Sequence, residues 1–266
     1  MNTFDLFSLK GKVALITGGR AMYGKGCTVA LADAGAKVYL ASHSVEAAQD
    51  YVNELRANGG DVEAIAFNQR DVKSIDAMVR EVVEKEGRID VFVHCSRIIP
   101  KGTGVGWFQD EAQLTDDVNV NSAASLYMTH IVGEQMIKQG SGSIVTFGSM
   151  MGLVGVEKHN YDGEPGMGDG AYGHAYALCK SGLTAWVRNA ASYYGRYGVR
   201  INAVCPGGLE SDRTPPIFKK NYSDHTQIGR LANGDDIKGP LLFLASDASA
   251  YLTGLSIPVD GGYTCM

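Results

Sequence analysis

The chain has 266 residues, 45% hydrophobic and 20% charged, with a formal net charge of -5. That length suits one large α/β domain with a sizeable core, and the mildly acidic balance supplies no basic surface for nucleic acid. No nucleic-acid partner is expected. Cys27, Cys95, Cys179, Cys205 and Cys265 form no C-x-x-C pair and read as reduced thiols of a cytoplasmic protein. The opening MNTFDLFSLKGK has no signal-peptide pattern. The most apolar later stretch, SIVTFGSMMGLVGV, is broken by Ser and Gly and is too short to span a bilayer, which takes roughly 20 residues. No membrane role and no metal site is expected.

In chain order, β-branched or aromatic runs alternate with segments of helical period, the pattern of βαβ units and a parallel sheet. Strands are predicted at KVALIT, KVYLAS, VEAIAF, IDVFVH, SIVTFG, VRINAV and LSIPVD. Helices are predicted at Gly24 to Ala34, Val45 to Ala57, Ser74 to Glu86, Ala112 to Lys138, Gly173 to Tyr194 and Asp235 to Ser246. Gly35, Gly59 and Gly87 follow the first three helices, where a left-handed stop favours glycine. No linker or repeat divides the chain, so residues 1–266 are expected to be a single α/β domain, a doubly wound parallel sheet of about seven strands flanked by helices, with right-handed crossovers. Ligands of such sheets bind beyond the carboxyl ends of the strands.

TGGRAMYGKG, from Thr17 to Gly26, joins the first strand to the first helix. Its backbone N–H groups and the helix dipole would face an anion docked there. On the fifth helix, YALCK places Tyr176 and Lys180 four apart on one face. A lysine ammonium beside a phenol favours the phenolate, which makes Tyr176 a usable general acid/base for alcohol–ketone interconversion. SIVTFGSMMG ends a strand at Ser149, whose hydroxyl would hydrogen-bond a substrate oxygen. Asn121, in VNSAASLYMTH, interrupts a predicted helix with a mediocre helix former, which marks a kink, an exposed site or a functional group.

These segments together resemble the short-chain dehydrogenase/reductase family from Lys10 to Gly262. Thr17, Gly18 and Gly24 fall in register with its T-G-x-x-x-G-x-G loop, and Asn121, Ser149, Tyr176 and Lys180 match its Asn-Ser-Tyr-Lys tetrad in order and approximate spacing. QRDVKS, NAVCPGGLES and YLTGLSIPVDGG resemble its adenine-side aspartate, nicotinamide-side and closing-strand segments. The resemblance implies a Rossmann-type NAD(P)-dependent oxidoreductase acting on a small-molecule secondary alcohol or ketone. Tyr176 would exchange the proton, Ser149 would orient the reacting oxygen, Lys180 would favour the phenolate and hold the nicotinamide ribose, and Asn121 would position a relay water. It also implies cofactor contacts from Thr17, Gly18, Arg20, Met22, Tyr23, Gly24, Ser42, His43, Asp71, Val72, Cys95, Ser96, Tyr176, Lys180, Pro206, Gly207, Leu209 and Ser211. A homotetramer follows by the same resemblance, with the helices around Ala112 to Lys138 and Gly173 to Tyr194 at its interfaces. GSMMG and DLFSLKGKVALITGG look most like the gluconate 5-dehydrogenase and sugar-acid or polyol branch. The alternatives are a reductase of a bulky apolar ketone such as a steroid or of a C=C bond, and a nucleotide-sensing protein on the same fold.

Four departures matter. Met22 stands where the family has its middle glycine, and since a residue with a Cβ avoids φ > 0, a negative-φ path is expected there. HCSR, His94 to Arg97, replaces N-N-A-G. Arg97 is expected to turn outward to water, the alternative being a reach toward a phosphate or an anionic substrate. Ser149 and Tyr176 are 27 positions apart, about twice the family's common spacing. The implied insertion at 152–173 is expected to wall the substrate cavity through Tyr161, Asp162, Glu164 and His174, or else to form a subunit contact or an idle loop. YLASHS carries no acid until Glu46, and an acid there would bind the ribose 2′-OH of NAD. With Ser42, His43 and Arg20 able to receive a 2′-phosphate, NADP(H) is favoured over NAD(H).

Overall fold

Seven strands, Val13–Thr17 (β1), Lys37–Ser42 (β2), Asp61–Ala66 (β3), Val91–His94 (β4), Gly142–Phe147 (β5), Val199–Pro206 (β6) and Ser256–Val259 (β7), pair in parallel in the order β3-β2-β1-β4-β5-β6-β7. The structure, a computed structural model, describes residues 2–99, 110–155, 157–163, 165 and 174–265. Strands covered on both faces read as near-continuous hydrophobic runs, and every residue of β1 is buried.

Alternation along each strand sorts its side chains to two cores. Ala14, Ile16, Leu40 and Val93 face Tyr23–Asp33 (α1), Glu46–Ala57 (α2) and Lys238–Ala245 (α8). Leu15, Tyr39, Phe92 and Ile144 face Val72–Glu86 (α3), Ala124–Gln139 (α5) and His174–Tyr194 (α6). Helix α3 stops at Gly87, φ 74, whose N–H donates to Val83 O at 2.8 Å, the left-handed stop anticipated from the sequence. The strand order reverses between β1 and β4, so their carboxyl ends part there and leave a crevice.

Two elements differ from the sequence-based expectation. The helix predicted over Ala112 to Lys138 is divided into Glu111–Val118 (α4), a π-turn at Asn119–Ala123, and α5. Helix Pro216–His225 (α7) was not among the helices expected from the sequence. Pro216 occupies the first turn, where its missing N–H costs nothing.

Candidate active site

Two glycines fix the loop from β1 to α1. Gly18 has φ 72, and a Cβ on it would stand 2.6 Å from Ser96 Cα, so the exit of β4 lies directly against it. A Cβ on Gly24 would stand 2.0 Å from Gly18 O, which seats the start of α1 on the loop. Between them Met22 takes φ 50 and ψ -135, so the expectation of a negative-φ path is wrong. Gly24 N–H donates to Ala21 O at 2.9 Å, closing a four-residue turn with Met22 at the second position of type II′ geometry. The contact between Gly18 and Gly24 dictates that turn, and Met22 accepts the strain while its side chain, 63% exposed, escapes to the cavity lip.

Helix α6 is anchored by Val187, Ala190 and Tyr194 against β5 and β6, and this burial aims its first turns at the end of β5. Tyr176 Oη donates to Ser149 Oγ at 3.2 Å, and Lys180 Nζ donates to Phe147 O at 2.7 Å. Residues four apart on the helix thus meet residues two apart at the strand end. Ser149 is buried and also accepts from Met151 N–H at 3.1 Å, which fixes its hydroxyl oxygen. Desolvation pushes the Lys180 pKa down to about 8; the thiol of Cys95 opposes that and the charge of Arg97 adds to it.

Asn121 sits in the π-turn, and its side chain clamps both backbone groups of Ile98 in the β4 exit. Its Oδ1 accepts from Ile98 N–H at 2.9 Å, and its Nδ2 donates to Ile98 O at 2.7 Å and to Asp117 Oδ1 at 2.6 Å. The clamp gives a physical reason for the break in the predicted helix. His94 is buried with Nδ1 3.0 Å from Thr17 Oγ1 and Nε2 2.7 Å from Ser125 Oγ, which itself donates to Asn121 O at 2.9 Å. Burial pushes the His94 pKa down to about 3. Asn121, Tyr176, Lys180 and Arg97 border a cavity of about 10 Å³, the room that about one water needs.

Arg97 does not turn outward. Its guanidinium lies 4.5 Å from the centroid of the Tyr176 ring, because a half-buried guanidinium gains from an aromatic face.

Two cavities meet along the carboxyl ends of the strands, one of about 550 Å³ and one of about 280 Å³, sharing Gly18, Ala21, Ser96 and Arg97. The larger is bordered by Met22, Tyr23, Cys95, Ser149, Tyr176, Lys180, Pro206, Gly207 and Leu209, and the smaller by Arg20, Ser42 and His43. Thr17 and Gly24 are buried and border neither cavity. Asp71 and Val72 do not border either cavity: Asp71 caps α3 by accepting from Lys73 N–H at 2.9 Å, and Val72 is exposed. Asn68 and Gln69, at the end of β3, line the smaller cavity in their place. An aspartate directly before a helical run is placed to cap it. Ser211 is also outside, its N–H donating to Thr214 Oγ1 at 2.8 Å.

Of the insertion, Tyr161 is buried and borders the larger cavity, packing on Phe218 with ring centroids 5.2 Å apart. Asp162 is exposed, and its carbonyl accepts from Asn221 Nδ2 at 3.1 Å. Glu164 and the His174 side chain lie outside the described residues. Sequence reasoning missed Phe218 and Tyr222 with the rest of α7. Tyr222 Oη accepts from Gly208 N–H at 2.6 Å and donates to Met150 Sδ at 2.9 Å, tying α7 to the cavity floor.

Known proteins share this architecture. Residues 23–264 match the family model described as enoyl-(acyl carrier protein) reductase. The chain is 32% identical over 261 residues to an L-rhamnose 1-dehydrogenase (NAD(P)(+)) of Sphingomonas sp. strain SKA58, with 96% of each chain covered. It is 30% identical over 265 residues to a 2-dehydro-3-deoxy-D-gluconate 5-dehydrogenase of Pseudoalteromonas atlantica, covering 97% of this chain and 98% of that one. Among solved structures, a short-chain type dehydrogenase/reductase from Mycobacterium marinum superposes with a TM-score of 0.86 at 27% identity, with all of both chains covered.

Proposed function

The chain belongs to the short-chain dehydrogenase/reductase family of oxidoreductases, and from that premise we propose that it is an NADP(H)-preferring dehydrogenase interconverting a secondary alcohol and a ketone on a sugar or sugar acid. The observation that carries this reading is the meeting of Tyr176 Oη and Ser149 Oγ at 3.2 Å, with Lys180 on the same helix, beside one cavity at the strands' carboxyl ends. Tyr176 gives or takes the proton at the substrate oxygen, and Ser149 holds that oxygen in line. Lys180 favours the phenolate by its charge. Asn121 shapes the small cavity in which a relay water fits.

The nicotinamide dinucleotide, when bound, supplies or accepts the hydride. The residues present fit it: the joined cavities run past the glycine loop, whose backbone at Gly18 lies so close to Cys95 and Ser96 that no Cβ fits between them. Preference for NADP(H) is supported at the adenine end. Among the described residues no acid lines the 280 Å³ cavity while Arg20 and His43 do, and the Glu46 carboxylate is engaged by Ser44 Oγ at 3.0 Å. The substrate class is supported by the sugar and sugar-acid names of the two relatives. A wall of Met150, Met151, Phe218 and Tyr222 favours, as a second reading, a bulky apolar ketone.

A single domain over residues 1–266, working as a cytoplasmic homotetramer, completes the proposal. Among the described residues no helix is long and apolar enough to cross a membrane, and Leu114, Leu126 and Leu178 are exposed on α4, α5 and α6. The test follows reduced-nicotinamide absorbance with NADP and NAD against sugars, sugar acids and bulky ketones. Tyr176→Phe is expected to lower kcat at least 100-fold. A Tyr176→Phe variant with full activity overturns the role of Tyr176, and a higher kcat/KM with NAD overturns the cofactor preference.

A further inference from the structure

Arg97 is a strong charge that the chemistry above does not use. It lies three residues past the end of β4, is half-buried, and borders both the 550 Å³ cavity and the small cavity beside Lys180. Among the described residues it makes no ion pair, and its guanidinium lies over the face of the Tyr176 ring, 4.5 Å from the centroid. Nor does any Asp or Glu among the described residues line the larger cavity, where the cations are Arg97 and Lys180. Two positive groups in a cleft with a largely apolar wall are costly to hold without a counter-charge. A bound anion supplies one.

A guanidinium fork is shaped for two parallel bonds to a carboxylate. Since Arg97 also borders the 280 Å³ cavity, a cofactor phosphate is the competing anion. Stacking on the ring whose hydroxyl meets Ser149 favours the other source, the molecule whose oxygen Tyr176 serves. We propose that Arg97 reads a carboxylate on the substrate, so that this enzyme works on hydroxy acids, sugar acids among them, and their keto forms in preference to neutral sugars. The proposal rests on the dehydrogenase reading and narrows its substrate. It makes Arg97 a specificity-determining residue.

Matched pairs test it. The full chain is assayed with NADP on aldonates and on the alditols of the same chain length, as wild type, Arg97→Met and Arg97→Lys. The wild type is expected to prefer the acid, and Arg97→Met to lower the acid-to-alditol ratio of kcat/KM about 30-fold, the scale of hydrogen bonds to a charged partner. Arg97→Lys, which keeps the charge without the fork, is expected to recover part of the ratio. An unchanged ratio overturns the proposal, and a raised KM for NADP with that ratio unchanged assigns Arg97 to a cofactor phosphate instead. Calorimetry with malonate on the NADP-loaded protein gives a readout free of turnover: wild type should bind it and Arg97→Met should not. Equal malonate binding, or none to wild type, overturns the proposal even where neutral alcohols are oxidised. Failure to turn over any alcohol or ketone instead defeats the dehydrogenase reading, and leaves the malonate result to judge Arg97.

Discussion

At Met22 the backbone stands at φ 50 and ψ -135, a conformation that costs a residue with a Cβ on the order of 1–3 kcal/mol. Glycine would remove that strain and give back part of the gain through its greater unfolded-state freedom, about 0.5–1 kcal/mol. The Met22 side chain is mostly exposed, so little packing is lost. Met22→Gly is therefore expected to stabilise the fold by about 1 kcal/mol, read as a higher denaturant midpoint with an unchanged slope; a lower midpoint would show that the methionine is held by contacts worth more than the strain. His94 sets a different dependence. Burial holds its folded-state pKa at about 3, against about 6.5 for an unfolded histidine. Between those values the unfolded chain takes up a proton that the folded chain refuses. The stability is complete above the unfolded value and falls by up to about 1.4 kcal/mol per pH unit as the pH drops toward the folded one. His94→Asn keeps a hydrogen-bonding side chain without the titration, so its melting temperature should fall less steeply than wild type between about pH 6 and 4. Parallel slopes would place the titration of His94 in the folded protein near its ordinary value.

Helix α6 was legible because its apolar positions keep a 3.6-residue period, and that period alone set Tyr176 and Lys180 on one face. What periodicity does not contain is the partner. The pairing of Tyr176 with Ser149 and of Lys180 with Phe147 depends on α6 being packed on the sheet face beside β5, a contact between separate segments of the sequence. The π-turn at Asn119–Ala123 was half-legible: Asn121 stood out as a poor helix former, but its clamp on Ile98 comes from another strand's exit. At Asp71 residue identity suggested a cofactor contact while position gives it a cap, and the short β3–α3 turn sets Asn68 and Gln69 along the cavity. Helix α7 was not read from the sequence at all. With it went Phe218 and Tyr222, which only a tertiary fold brings beside Met150 and Tyr161.

Across the whole molecule α6 shows two sides of different character. Inward it holds Tyr176 and Lys180; outward, Leu178, Ser181, Gly182, Ala185, Ser192 and Tyr193 are exposed, with Arg188 as the charge on that side. A helix face left in water ordinarily carries many charged residues, and small side chains instead allow another helix to approach closely. A Cβ on Gly182 meets nothing within 4 Å inside the chain, so the glycine answers no demand of the chain's own packing there. An assembly of copies through this face would clamp the same helix that aligns the proton donor, which couples oligomeric state to the rigidity of the site. Ala185→Glu sets a carboxylate in the middle of the face and is exposed in the isolated chain, so the fold should survive it. Sedimentation of wild type should give a tetramer, and Ala185→Glu a smaller species with an unchanged circular dichroism spectrum and a lowered kcat. A wild-type monomer would mean that the bare face serves something other than self-association, and a tetramer untouched by Ala185→Glu would move the interface to another side of the sheet.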